Sequence, residues 1–253
     1  MRIGIFDSGV GGITVLKEAL NLLPGEDYIY YADTANVPYG TKDKNEVRQY
    51  IFKAVEFLIN RGIEALVVAC NTATSIAIKD LRETYQFPIV GMEPAVKPAV
   101  ERSRNKKVLV LATPLTIREE KFRNLVSRVK AEDIVDSLGL PGLVEYAEGF
   151  VFDENIIIPY LKDRLSPFNL QEYGTLVLGC THFLYFRDIF NKIIPDHIDI
   201  IDGNKGTVRH LKNLLLQSGF KTGSEGSGEI IFYSSGKKDE RRLKKYLDIL
   251  KEI

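Results

Sequence analysis

Short apolar runs alternate along the chain with longer segments of helical spacing, and this alternation restricts the fold more than any other feature. The runs that predict strands are residues 2–6, 28–32, 65–69, 107–111, 175–178, 197–201 and 230–233. Helices, with apolar residues three and four positions apart, are predicted to begin near residues 12, 46, 72, 117, 153, 183, 207 and 237. Such alternation is typical of an α/β fold with mostly parallel sheets and right-handed crossovers.

Two segments near the end of the chain fall outside this pattern. Residues 219–228 are predicted to form a polar, glycine-rich loop. Residues 237–245 carry a run of lysine and arginine that Asp239 and Glu240 interrupt. This run is predicted to be a solvated helix face, because acidic residues interleave it and the chain as a whole is neutral.

The composition excludes several classes of protein. The chain of 253 residues has 34 Lys and Arg against 34 Asp and Glu, which argues against a nucleic-acid binder that depends on bulk basicity. Its two cysteines are too few for a disulfide scaffold or a zinc site of paired cysteines. No segment has the pattern of a signal peptide or of a membrane span, so a cytoplasmic protein without a membrane partner is expected.

A short sequence pattern occurs twice, 110 residues apart. Leu66-Val67-Val68-Ala69-Cys70-Asn71-Thr72 resembles Leu176-Val177-Leu178-Gly179-Cys180-Thr181-His182. Each copy is an apolar strand, a small residue, a cysteine and then a polar residue that opens a helix. The repeat predicts two related lobes, each presenting one cysteine at the carboxyl end of a strand, where open α/β sheets bind ligands. Two unrelated strand–cysteine–helix junctions remain the alternative.

The two cysteines admit several interpretations. Free cysteine is often buried as a small apolar residue, a disulfide between the two is possible, and Cys180 with His182 is not a standard zinc spacing. A helix N-terminus beside each thiol favours the thiolate and is expected to lower the thiol pKa. Two facing thiols suit the inversion of a stereocentre, in which one base removes a proton and an acid on the opposite face returns one. The working form would carry one thiolate and one thiol.

Three further segments follow predicted strands and could converge on one cleft. Asp7-Ser8-Gly9-Val10-Gly11-Gly12 is either a tight turn or an anion cradle in which Asp7 and Ser8 face the ligand. It matches neither the dinucleotide fingerprint nor the P-loop. The segments 33–40 and 112–116 are loops rich in hydroxyl groups, with weak specificity of their own.

Taken together, four motifs resemble those of the cofactor-independent glutamate racemases, and the resemblance covers nearly the whole chain. The motifs are Asp7-Ser8-Gly9-Val10-Gly11-Gly12, Pro38-Tyr39-Gly40, Cys70-Asn71-Thr72-Ala73 and Gly179-Cys180-Thr181-His182. The resemblance implies two pseudo-symmetric Rossmann-like lobes with the active site in the cleft between them. It implies a first lobe of residues 1–94 plus 206–253 and a second lobe of residues 95–205.

The resemblance also implies an activity and roles for individual residues. The enzyme would interconvert L- and D-glutamate without pyridoxal phosphate or any other cofactor or metal, and would supply D-glutamate for peptidoglycan. Cys70 would deprotonate the D-enantiomer with help from Asp7, and Cys180 the L-enantiomer with help from His182, which Glu145 would orient. The residues expected to hold the substrate are Asp7, Ser8, Pro38, Tyr39, Gly40, Asn71, Thr72, Thr113, Thr116, Thr181 and His182. A homodimer is expected.

The chain departs from the family pattern at two places, and other functions remain open. Asn36 replaces a common arginine, and Phe183-Leu184 replaces a common Tyr-Pro, which affects the expected shape of the cleft. The chain starts at its first strand, so no dependence on an activator is expected. The alternatives are a racemase for aspartate or another amino acid, a binding protein with structural cysteines, and a thiol–disulfide oxidoreductase.

Overall fold

The computed structural model describes residues 1–220 and 228–252, and it has an α/β architecture. The strands are β1 (Arg2–Asp7), β2 (Asp27–Ala32), β3 (Ala65–Val68), β4 (Ile89–Gly91), β5 (Lys107–Ala112), β6 (Val135–Gly139), β7 (Tyr173–Leu178), β8 (Asp199–Asp202), β9 (Ile230–Ser234) and β10 (Lys237–Lys238). The helices are α1 (Ile13–Leu22), α2 (Lys44–Ile59), α3 (Asn71–Thr84), α4 (Val96–Arg102), α5 (Pro114–Arg118), α6 (Glu120–Arg128), α7 (Pro141–Glu148), α8 (Glu154–Leu165), α9 (Arg187–Ile193), α10 (Asn204–Gln217) and α11 (Glu240–Glu252).

The strands form two separate sheets. Within the described residues, the first sheet has the order β10–β9–β2–β1–β3–β4 and the second has the order β6–β5–β7–β8. The pairings are parallel except for the antiparallel contact between β10 and β9. We call each sheet with its packed helices a lobe, so the prediction of a two-lobe α/β fold with mostly parallel sheets is confirmed.

The two sheets share one strand order. In sequence order within each lobe, β2–β1–β3–β4 and β6–β5–β7–β8 both read second, first, third, fourth. Cys70 and Cys180 follow the third strand of their respective lobes, so the repeated sequence pattern reflects a repeated topology. Because carboxyl ends of parallel strands meet at one edge, this order brings the loops after β1, β3, β5 and β7 toward the interface between the lobes.

Burial explains why some strands have a clear apolar pattern in the sequence and others do not. Every residue of β3 and of β7 is buried, as their continuous apolar runs predict for central strands. The edge strand β6 includes the polar residues Asp136 and Ser137 and is only partly buried, so its sequence lacks that signal. The strand β4 spans three residues, which is too short to show a period.

Several predicted elements differ in detail from the structure. The helix predicted over 117–130 is two helices, α5 and α6, which meet at Glu119, where the backbone is extended. The helix predicted from Phe183 is a 3₁₀ helix over Thr181–Phe186 followed by α9. The last helix begins at Glu240, because Lys237 and Lys238 pair with β9. The polar loop predicted over 219–228 lies largely outside the described residues.

Candidate active site

Cys70 and Cys180 come from different lobes and line the same cavity. Both thiols are free and nearly buried, with 5% and 6% of their surface exposed. The other lining residues are Ser8, Tyr39, Gly40, Asn71, Thr72, Thr113, Val144, Thr181 and His182. The structure therefore gathers most of the predicted residues around one space between the lobes, although they are spread over the length of the chain.

Cys70 lies at the N-terminus of α3 and connects to a carboxylate through a hydroxyl group. Its Sγ accepts a hydrogen bond from the Ala73 N–H at 3.4 Å and donates to the Ser8 Oγ at 3.6 Å. The Ser8 hydroxyl in turn donates to Asp7 Oδ1 at 3.4 Å. A proton can therefore move from Cys70 toward Asp7 along a chain of three polar groups.

The expectation that the helix N-terminus lowers the pKa of Cys70 is wrong. Burial, with the nearby negative charge of Asp7, raises the pKa of the Cys70 thiol to about 12. The hydrogen bonds from Ala73 and Ser8 act in the opposite direction but do not compensate. Removing a thiolate from water outweighs two hydrogen bonds, so Cys70 holds its proton at neutral pH.

Asp7 is buried at the end of β1 and contacts the second lobe. Its Oδ1 accepts from the Gly9 N–H at 2.9 Å, and its Oδ2 accepts from the Thr181 hydroxyl at 3.0 Å. Burial raises the pKa of Asp7 to about 6, although His182 and these two donors favour the charged form. Asp7 is therefore mostly a carboxylate at neutral pH, yet close enough to its pKa to accept a proton.

Cys180 faces a histidine, and a second carboxylate lies behind that histidine. The Cys180 Sγ lies 3.8 Å from His182 Nδ1, and His182 Nε2 lies 2.7 Å from Glu148 Oε1. Burial alone would lower the pKa of His182, but the hydrogen bonds to Cys180 and Glu148 outweigh it and raise the pKa well above its usual value. His182 is therefore an imidazolium at neutral pH, and its charge lies beside the Cys180 sulfur.

The carboxylate behind His182 is Glu148 and not the predicted Glu145. Both residues lie on α7, but Glu145 is exposed, whereas Glu148 is 11% exposed and points at the histidine ring. A helix over 141–148 is not among the predicted elements, so the two glutamates, three residues apart on α7, could not be distinguished from the sequence. The Leu143, Val144 and Ala147 stripe, which is buried, fixes which side of the helix faces the core.

The glycine-rich turn after β1 holds both carboxylates of the site. The Gly9 N–H donates to Asp7, and the Val10 N–H donates to Glu148 Oε1 at 2.7 Å. A Cβ on Gly9 would lie 1.8 Å from the same Glu148 oxygen, so only glycine allows this approach. Of the two interpretations of this segment, a tight turn or a cradle for a ligand anion, the structure shows a turn whose Gly9 and Val10 N–H groups hold the protein's own Asp7 and Glu148.

Hydroxyl groups and one amide complete the cavity wall. The Oγ1 atoms of Thr72, Thr113 and Thr116 lie 2.8 to 3.0 Å from one another and join α3 to the start of α5. Asn71 is 6% exposed, and its Oδ1 has no hydrogen-bond partner among the described residues. A buried acceptor without a partner is costly, and its position in the cavity wall makes it available to a ligand that carries a donor.

The loop after β2 closes the cavity against the second lobe. A Cβ on Gly40 would lie 2.4 Å from the Thr113 Cβ, so the glycine permits contact between the lobes. The Tyr39 hydroxyl donates to Asp33 Oδ2 at 2.6 Å, and the side chain of Asn36 donates to the same carboxylate. Asn36 thus fixes the base of this loop, although it departs from the family pattern.

The cavity lining differs from the predicted set at a few positions. Asp7, Pro38 and Thr116 lie behind the lining, where Asp7 and Thr116 contact residues that do line it. Val144 lines the cavity and was not predicted, because nothing in its sequence context distinguishes it from a core residue. In the described part of the chain, no cluster of His, Cys, Asp and Glu could hold a metal ion, and no helix is long and apolar enough to cross a membrane.

Comparison with known proteins assigns this constellation to a class. The model of the Asp/Glu/Hydantoin racemase family matches residues 13–211, and the chain belongs to that family. Among curated proteins, it is 56% identical to glutamate racemase 2 of Bacillus subtilis strain 168 over 250 residues, which cover 97% of this chain and 94% of the relative. It is 46% identical to the glutamate racemase of Lachnospira eligens, over 100% of this chain and 97% of the relative.

The fold agrees with that of solved glutamate racemases. The Escherichia coli enzyme, solved in complex with L-glutamate and the activator UDP-MurNAc-ala, superposes with a TM-score of 0.84 at 30% identity, over 99% of this chain and 94% of that one. The Francisella tularensis enzyme in complex with D-glutamate gives a TM-score of 0.81 at 29% identity, over 98% and 93% of the two chains. The family expected from the motifs is thereby confirmed.

Proposed function

We propose that the protein interconverts L- and D-glutamate by proton transfer between its two cysteines and the substrate Cα. The observation that carries the proposal is that Cys70 and Cys180, from opposite lobes, line one cavity and that each connects to its own carboxylate. A thiolate on one side removes the Cα proton, and a thiol on the other side protonates the opposite face. Each turnover consumes one thiol proton and returns one to the other thiol, so no cofactor is needed for the balance.

The two halves suggest which thiol carries the charge before reaction. Burial and Asp7 keep the proton on Cys70, whose pKa is raised to about 12. The imidazolium of His182 faces the Cys180 sulfur at 3.8 Å and stabilises a thiolate there. The resting enzyme therefore has Cys180 as the base and Cys70 as the acid, which suits L-glutamate as the first substrate. Conversion of D-glutamate begins from the opposite form, in which Asp7 has taken the Cys70 proton through Ser8 and His182 has given its proton to the Cys180 sulfur.

The cavity wall supplies the groups that a substrate amino acid requires. The unpartnered Asn71 Oδ1 matches the α-ammonium group, which donates hydrogen bonds. The hydroxyls of Thr72 and Thr113 can donate to carboxylate oxygens, with Ser8, Tyr39, Gly40 and Thr181 completing the wall. Hydrogen bonds aimed at the α-carboxylate stabilise the carbanion, whose charge spreads onto those oxygens.

We assign the D-glutamate product to peptidoglycan synthesis in the cytoplasm and the working enzyme to a homodimer. These assignments depend on the resemblance of the motifs to those of glutamate racemases. Size-exclusion chromatography with light scattering tests the dimer.

Circular dichroism of purified enzyme with L- or D-glutamate tests the proposed reaction. The circular dichroism signal should decay to zero from either enantiomer, because both reactions end in the racemic mixture. Deuterium from D₂O should enter Cα of the product. Parallel incubations with L- and D-aspartate provide the comparison. Activity on aspartate alone, or inversion without deuterium, would contradict the proposal.

A further inference from the structure

The last helix of the chain closes the C-terminal end of the helix that carries Glu148. The Tyr246 hydroxyl on α11 donates to the main-chain oxygens of Ala147 at 2.8 Å and Glu148 at 3.1 Å. The Arg242 guanidinium donates to the Glu148 main-chain oxygen at 3.3 Å. These carbonyls belong to the last turn of α7, which lacks main-chain donors within the helix. The Phe150 N–H, just beyond the helix, also donates to the Ala147 oxygen at 3.1 Å. A cation at this end of a helix is also favoured by the helix dipole.

Arg242 also approaches the carboxylate of Glu148. Its Nη2 lies 3.5 Å from Glu148 Oε2, whereas Oε1 accepts from His182 and from the Val10 N–H. Glu148 is therefore shared between two cations, His182 on the side of the cavity and Arg242 on the side of the solvent. The side chain of Arg242 is 42% exposed, so this contact is accessible to salt.

Aromatic packing holds α11 in this position. The ring of Tyr246 is buried, and its centroid lies 5.2 Å from that of Phe150 and 5.7 Å from that of Tyr185. Phe150 follows α7 with a left-handed backbone, at φ 60°. Arg242 is therefore carried by a packed helix and not by a free tail. The helix lies outside the span that the family model matches, which ends at residue 211.

We propose that Arg242 is a positioning residue of the racemase, which acts through Glu148 to set how firmly His182 holds its proton. This inference rests on the proposed function. The groups that face His182 are Cys180, Glu148 and Asp7. Those that face Glu148 are His182, Arg242, Asp7, Tyr30, Tyr185 and Tyr246. Without Arg242, Glu148 remains anchored by Val10 and His182, and its whole charge acts on the imidazolium. His182 then gives its proton to the Cys180 sulfur less readily.

The test compares the wild-type enzyme with Arg242→Gln, Arg242→Lys and the control Arg241→Gln. Arg241 is the exposed neighbour on the same helix. A partly exposed ion pair is worth at most about 1 kcal/mol, so Arg242→Gln should lower kcat/KM at pH 7 by about threefold to fivefold. The alkaline limb of the pH profile of Arg242→Gln, where His182 loses its proton, should lie about half a pH unit higher than in the wild type. Arg242→Lys and Arg241→Gln should follow the wild type, and added salt should lower wild-type activity toward that of Arg242→Gln.

A second readout separates this inference from the proposed function. The imidazole signals of His182 can be titrated by NMR without any substrate, because the chain has only three histidines. The pKa of His182 should be higher in Arg242→Gln than in the wild type or in Arg241→Gln. An unchanged His182 titration in Arg242→Gln would overturn the inference even if the wild type racemises glutamate. A wild type that fails to racemise glutamate while the titration shifts would overturn the proposed function alone.

Discussion

The Cys70 half of the site and the Cys180 half use the same position in the fold but build different proton relays. Each thiol follows the third strand of its lobe, and each relay ends at a carboxylate. Cys70 reaches Asp7 through the hydroxyl of Ser8, where Asp7 ends the first strand of the same lobe and Ser8 follows it. Cys180 reaches Glu148 through the imidazole of His182, two residues further along the chain.

The difference shows which part of the site the repeated topology determines. Asp7 is the last residue of β1 and corresponds in strand register to Ala112, the last residue of β5, which is not an acid. The second lobe takes its carboxylate from α7, which follows β6. The shared strand order therefore places the thiols, whereas each relay depends on residues that the repeat does not supply. The relay in the second lobe places an imidazolium beside its sulfur, whereas the relay in the first lobe places a hydroxyl and a buried carboxylate there, so the two halves differ in charge.

Replacing either thiol should cause the largest loss of activity. Cys70→Ser and Cys180→Ser should each lower racemisation by about 10³-fold or more, because a hydroxyl is a far weaker acid than a thiol. The assay follows both enantiomers by circular dichroism, with far-UV spectra and thermal unfolding as controls for the fold. Since the enantiomers have equal free energy, kcat/KM must fall equally in both directions. Full activity of either variant would eliminate the two-base mechanism.

Removing the carboxylate of the Cys70 relay should have the next largest effect. Asp7→Asn should lower kcat/KM about 100-fold and abolish the acid limb of its pH profile. That limb is expected because burial raises the pKa of Asp7 to about 6, and protonated Asp7 cannot accept the Cys70 proton. His182→Asn is the matched variant in the other half, and it should retain the acid limb. An acid limb that persists in Asp7→Asn would assign it to another group.

The same Asp7→Asn variant measures what the buried carboxylate costs the fold. The pKa of Asp7 is about 6 in the folded protein against a usual 3.8, so the folded state binds this proton more tightly than the unfolded state. The resulting stability is present below about pH 4 and is lost as the pH rises through 6, a loss of about 3 kcal/mol. The free energy of unfolding, measured with urea, should decrease from pH 4 to pH 7. This decrease should be smaller for Asp7→Asn than for the wild type.

A methyl group at the contact between the lobes should weaken substrate binding in both halves. In Gly40→Ala the new Cβ would lie 2.4 Å from the Thr113 Cβ, so the lobes cannot close as in the wild type. We expect KM for either enantiomer to rise about tenfold, with a smaller change in kcat. Gly206→Ala on α10 is the control, because its Cβ meets nothing within 4 Å. Equal KM values for Gly40→Ala and wild type would show that closure at this point is not required.

Removing an exposed ion pair between the two lobes should have the smallest effect on substrate binding. Lys44 on the first lobe lies 2.6 Å from Glu119 on the second, and the lysine is 51% exposed. Lys44→Ala should raise KM less than fivefold, because an exposed pair contributes about 1 kcal/mol or less. The effect should vanish at high salt. Lys79→Ala, which breaks an exposed pair within α3, is the control and should leave KM unchanged.

The sequence predicted the thiols, their strands and the class of fold because those features have local signals. An apolar strand followed by a cysteine and a helix can be recognised in either copy of the repeated sequence pattern. The prediction of Glu145 as the partner of His182 was wrong, because the choice between Glu145 and Glu148 depends on the rotation of α7 about its axis. Packing of the whole lobe determines that rotation. The prediction of a lowered pKa for Cys70 was wrong, because burial depends on the assembled site, whereas the helix N-terminus can be recognised in the local sequence.

The position of β9 beside β2 has a consequence for synthesis on the ribosome. The strands of the second sheet all lie between Lys107 and Asp202, so that lobe can close while the chain is still growing. The first sheet begins at Arg2 but receives β9 only after Ser234 has left the exit tunnel, and until then the edge of β2 is unpaired. The N-terminal half of the site therefore completes its sheet last.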